Sequence, residues 1–85
     1  MTERESKPNY VVIDGLNVMG RAQNHWSMDP WFGLTQVLMI LKSVSKRVFG
    51  GLEVITVLRE HGAFEKEYVS ERLESVSRLS RLVLL

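Results

Sequence analysis

The sequence predicts an α/β fold built on a parallel β-sheet. Three observations carry that expectation. Short, mostly apolar runs, Tyr10–Ile13, Leu52–Leu58 and Arg81–Leu85, alternate with long stretches of helical apolar spacing, the pattern of β-α-β units. The first run is apolar throughout and stops abruptly at Asp14-Gly15, as a strand does when helices cover both faces of its sheet. Gly50-Gly51 separates the central helical stretch from the second run, in keeping with the preference for glycine after a helix C-terminus.

Taken in order, Met1–Pro8 is polar and charged and reads as a disordered N-terminal arm. Tyr10–Ile13 is the first strand. Gly15–Met28 mixes polar and apolar residues and carries two glycines, so it is expected to be a loop, a long one for a strand-to-helix connection. Asp29-Pro30 starts a helix: the aspartate caps free backbone N–H groups, and proline suits the first helical position. Leu34, Val37, Leu38, Leu41, Val44 and Val48 recur at helical spacing and carry that helix to about Phe49. Met39 and Ile40 widen its apolar stripe, which predicts cover on more than one side. Leu52–Leu58 is the second strand and Arg59–Gly62 the next loop. A helix over Ala63–Leu79 follows, with Val69, Leu73, Val76 and Leu79 on one face and Glu74 four residues before Arg78 in the favourable order. Arg81–Leu85 closes the pattern as a third strand.

Sequential parallel strands tend to be neighbours with right-handed crossovers, which predicts the sheet order 3-2-1. The first strand then has an open edge, a liability for a strand of buried type. Either a second copy or a protein partner covers that edge and the apolar helix, or the sheet is the first half of a larger one; the larger sheet is the favoured expectation.

Composition narrows the function. A chain of 85 residues is one small domain. A net charge of +1 supplies no global attraction to nucleic acid or to an anionic membrane, so any basic surface is local. The chain has no cysteine, which excludes disulfides and thiolate metal sites and fits a cytoplasmic or nuclear protein. No apolar stretch is long enough to span a bilayer, and no internal repeat is present.

The residues that carry chemistry lie at the expected carboxyl edge of the sheet, where open α/β sheets bind ligands. The stretch Val11-Val12-Ile13-Asp14-Gly15-Leu16-Asn17-Val18 resembles the Ile-Asp-Gly-x-Asn-Val first-strand signature of the NYN branch of the PIN-like nuclease superfamily, most of all its Regnase-type ribonucleases. The resemblance runs more weakly through the long helix, Glu53–Leu58, the Arg59-Glu60 turn and the last strand, covering roughly residues 9–85. It implies a three-layer α/β/α, Rossmann-like (PIN-like) fold, of which residues 9–85 would be the N-terminal portion. It also implies endonucleolytic cleavage of single-stranded RNA with Mg²⁺ or Mn²⁺, with Asp14 as a metal-binding catalytic carboxylate and Asn17 supporting it. The family's later carboxylates follow the third strand, where this sequence stops; its only other aspartate is Asp29. A catalytically incomplete NYN-like module, acting in RNA binding or protein assembly, is therefore the competing expectation.

Around Asp14, Gly15 would let backbone approach a phosphate and Arg21 would pair with one. Trp26 would stack on an unpaired base. Arg59 and Lys66, with His61 between them, would track the RNA backbone. Each also has a plain structural role available: a strand-ending turn for Asp14, packing over the sheet edge for Trp26, and a solvated loop and helix start for Arg59 and Lys66.

Overall fold

The computed structural model describes residues 9–59 and 66–85, with side chains of the second segment described from Ser70 onward. The expected arm, Met1–Pro8, and the expected loop beyond Arg59, with His61, lie outside the described residues. The described elements are β1 (Asn9–Asp14), α1 (Gly15–His25), α2 (Pro30–Ser45), β2 (Leu52–Leu58), α3 (Lys66–Leu79) and β3 (Arg81–Leu84). Three strands form a parallel sheet in the order β1-β2-β3, as the sequence predicted. Asp14 is the register partner of Val57, and Leu58 that of Leu84.

The largest departure from the sequence expectation is α1. Gly15–His25 is an eleven-residue helix and not a loop. Gly15, Met19 and Ala22 are its buried residues, spaced as one face of a helix. Gly15, Asn17 and Gly20 are weak helix formers, and they hide a start signal that is present: Asp14 is the N-cap, its side chain accepting from the Asn17 N–H. Tertiary burial of the Met19–Ala22 face outweighs the poor propensity.

The second departure is the end of α2. The helix stops at Ser45, short of the Phe49 expected from spacing. Turns of three-residue span follow, with Arg47 N–H donating to Val44 C=O and Val48 N–H to Ser45 C=O. Gly50 and Gly51 then take φ of +82° and +79°, a region that costs any other residue. The reason for the early stop is local. The Ser45 hydroxyl accepts from the Leu52 N–H at 2.8 Å and donates to the Leu52 C=O at 3.1 Å, which ties the last helical residue to the start of β2. The Asn9 side-chain amide donates to the carbonyls of Phe49 and Gly51 at 3.1 and 3.0 Å and fastens the same turn to β1.

The core is one cluster. Met19, Trp31, Leu34, Leu38, Val54, Leu58 and Val76 are buried together, and Ile13, Leu16, Leu73 and Leu82 pack against them. Those strand residues all point to one face of the sheet, since neighbours along a strand alternate. A sequential strand order with right-handed crossovers places all connections on that same face. The opposite face carries Tyr10, Val12, Ile55, Val57 and Val83, and Val12 is 66% exposed. Helices on both faces were expected; the described residues cover one.

One polar group sits within this apolar layer. Thr56 is fully buried, and its hydroxyl meets that of Ser80 at 2.7 Å. Ser80 also donates to the Val76 carbonyl at 3.2 Å, so the end of α3 is bonded to the middle of the sheet.

Candidate functional site

The site begins with the last residue of β1. The register carries Asp14 to the carboxyl edge beside Val57, and α1 begins at the next residue. Asp14 holds extended backbone (φ −77°, ψ 99°) while its Oδ1 accepts the Asn17 N–H at 3.3 Å. The exposed carboxylate therefore stands at the positive end of a helix, where negative charge is stabilised. Asn17 meets Asp14 through its backbone N–H, in the capping bond of α1.

Gly15 has a packing role. It is buried, and a Cβ built there would overlap the Leu58 side chain and lie 3.1 Å from the Val57 carbonyl oxygen. The missing side chain lets the first turn of α1 lie directly against the end of β2. Gly15 thus fixes the position of Asp14 by packing.

Arg59 is exposed and lies two residues beyond Val57, the register partner of Asp14. Strand spacing and rise put their backbones about 8 Å apart. Lys66 is the first residue of α3, placed by its backbone, and its side chain lies outside the described set. Arg21 is exposed seven residues along α1 from Asp14, about 10 Å down the helix axis. Trp26 is the C-cap of α1, about 18 Å along the axis from Asp14. It is 47% exposed with its ring alongside Gly33. Asp14 and Asn17 are in contact and Arg59 follows β2 at the same edge of the sheet, while Trp26 lies at the far end of α1.

Metal binding at this edge has one described carboxylate to draw on. Among the described residues, no group of three or more His, Cys, Asp or Glu side chains is placed to hold an ion. Asp29 is committed elsewhere, its Oδ1 accepting the Phe32 N–H at 3.0 Å as the cap of α2. Mg²⁺ commonly takes one or two carboxylates and keeps several waters, so Asp14 fits as one ligand of such a site and does not make the site alone.

An open cleft lies at the other end of the sheet, lined by Lys42, Ser45, Glu53, Arg78 and Arg81 among others. Its cations stand near the C-termini of α2 and α3, where they offset the helix dipoles. Arg78 is paired with Glu74 at 2.7 Å and Arg81 with Glu53 at 3.7 Å. The cleft is on the opposite edge from Asp14.

No protein-family model, curated protein or solved structure matches the chain. No helix of the described residues is long and apolar enough to cross a membrane.

Proposed function

We propose that the chain forms the first half of an NYN-type, metal-dependent endoribonuclease domain that cleaves single-stranded RNA in the cytoplasm. The supporting observation is Asp14: a parallel strand ends on an exposed carboxylate held at a helix N-terminus by the Asn17 N–H. In this reading Asp14 is one ligand of Mg²⁺ or Mn²⁺, Asn17 keeps it in place, and Arg59, Lys66 and Arg21 contact phosphate. The bound ion would activate the attacking water and stabilise charge on the leaving oxygen. The remaining carboxylates come from outside the described residues. A three-layer α/β/α arrangement belongs to the same reading, because all-parallel sheets are covered on both faces. The face carrying Tyr10, Val12 and Ile55 would be the one covered.

The test is cleavage of end-labelled single-stranded RNA with Mn²⁺, with chelator, and by Asp14→Asn. Asparagine caps a helix about as well as aspartate, so this substitution removes charge while keeping the start of α1. Asp14→Ala also removes the cap and costs about 1 kcal/mol of stability. In the domain that also supplies the remaining carboxylates, cleavage is expected with Mn²⁺ and is lost in Asp14→Asn. Cutting in chelator, or full activity of Asp14→Asn, refutes the mechanism.

The absence of a three-acid group among the described residues favours a second reading, a catalytically incomplete NYN-like module that binds RNA or assembles with a partner. It predicts no cleavage at any Mn²⁺ concentration together with RNA retention that Arg59→Glu weakens.

A further inference from the structure

The helix α2 is apolar on both sides, and only one side is used by the core. Leu34 and Leu38 are fully buried and Leu41 packs against the same cluster. Helical spacing places Phe32, Met39 and Ile40 on the opposite side, flanking Gln36 and Ser43 on its midline, with Val44 at its margin. These four are exposed, Met39 at 53% and Ile40 at 62%. Together they present on the order of 400 Å² of apolar surface, the size of the largest apolar patch on a typical monomer, which is often functional.

The stripe has a charged end. Between Pro30 and Leu52 the sequence contains Lys42, Lys46 and Arg47 and no acid. Lys46 and Arg47 follow directly on the last turn of α2 and are exposed. Neither has a salt-bridge partner among the described residues. The surface therefore reads, along one helix, as an apolar strip leading into uncompensated positive charge.

We propose that the outer face of α2 is a docking surface for an acidic amphipathic helix of a protein partner. Charge selects the occupant: apolar residues at helical spacing would lie along Phe32, Met39, Ile40 and Val44, and acids at one end would meet Lys46 and Arg47. Area points the same way. The strip is about half of the roughly 800 Å² per partner that a standard stable complex buries, which suits one helix laid along another. Two copies of this chain joined strip to strip would set two cations of each, Lys46 and Arg47, against at most the single carboxylate of Asp29, which keeps its charge while capping α2. The proposal is independent of any role for Asp14.

The test uses the full chain and three fluorescein-labelled helical peptides with the same leucine stripe, flanked by Glu, by Gln or by Lys. Fluorescence anisotropy is expected to rank them Glu, Gln, Lys, with roughly tenfold between the first and last and weakening of the first with salt. Lys46→Glu with Arg47→Glu reverses the ranking. Met39→Ser with Ile40→Ser abolishes binding while circular dichroism and Tm stay unchanged, because both side chains are exposed. Absence of binding to every peptide, or equal binding to all three, overturns the proposal. Two further outcomes overturn it in favour of another occupant. One is binding to phosphatidylserine vesicles without peptide binding. The other is concentration-dependent dimerisation, read by sedimentation, that the Met39/Ile40 variant loses.

Discussion

The position of Asp14 depends on a missing methyl group at Gly15. Adding one, Gly15→Ala, places a carbon inside the Leu58 side chain and 3.1 Å from the Val57 carbonyl oxygen. Leu58 is fully buried, so turning its side chain aside displaces its core neighbours, and Val57 is held in the ladder opposite Asp14. Either the core around Leu58 repacks or the helix start moves. Overpacking of this kind costs about 1–3 kcal/mol, and the helix-propensity gain of alanine over glycine recovers at most about 1 kcal/mol. A net loss of about 1–2 kcal/mol shifts Tm by about 4–8 °C per kcal/mol in a domain of this size. Leu58→Ala alone loses about 2–5 kcal/mol through the cavity it leaves. In the double variant the new methyl fills part of that cavity, so the two losses fall short of their sum by about 1 kcal/mol or more. Thermal and urea unfolding of the four proteins followed by circular dichroism gives the cycle. Losses that add within about 0.5 kcal/mol, or a Gly15→Ala protein as stable as its parent, would refute the packing role.

Two further outcomes follow from the same kind of geometry. A Cβ at Gly33 would overlap the Ala22 side chain, so Gly33→Ala is expected to separate α1 from α2 and cost about 1–2 kcal/mol, with Ala22→Gly restoring part of it; urea unfolding measures both. Ser80→Ala strands the buried Thr56 hydroxyl and is expected to cost about 1–3 kcal/mol. Thr56→Val leaves Ser80 its bond to the Val76 carbonyl and costs about 1 kcal/mol or less, so the order of the two Tm values checks the assignment.

The strands were legible because each is a short, mostly apolar run too short for a helix, and the structure places all three within one or two residues of their expected limits. The start of α2 was legible from Asp29-Pro30. What the sequence obscured was α1. Its glycines and Asn17 argue for a loop, and only burial against α2 and β2 reverses that preference. The end of α2 was hidden for a related reason: Val48 continues the apolar period, while the Ser45 bonds to Leu52 that stop the helix join residues seven apart. The edge location of Asp14 could be read from the abrupt end of the apolar run. The separation of Trp26 from Asp14 could not, because a loop would have folded back where a helix of eleven residues extends.

The clamp between Asn9 and the Gly50–Gly51 turn also sets an order in time. Asn9 begins β1, which leaves a ribosome before β2, yet the carbonyls it binds belong to residues 40 and 42 positions later. At about 5–20 residues per second, β1 waits roughly 2–9 s for β2, with Val11 and Ile13 unburied and its ladder groups unpaired. An apolar strand stands unpaired throughout that interval, and because the Asn9 bonds form only once Phe49 and Gly51 are in place, substitutions of Asn9 loosen the closed turn and leave the waiting strand as it was.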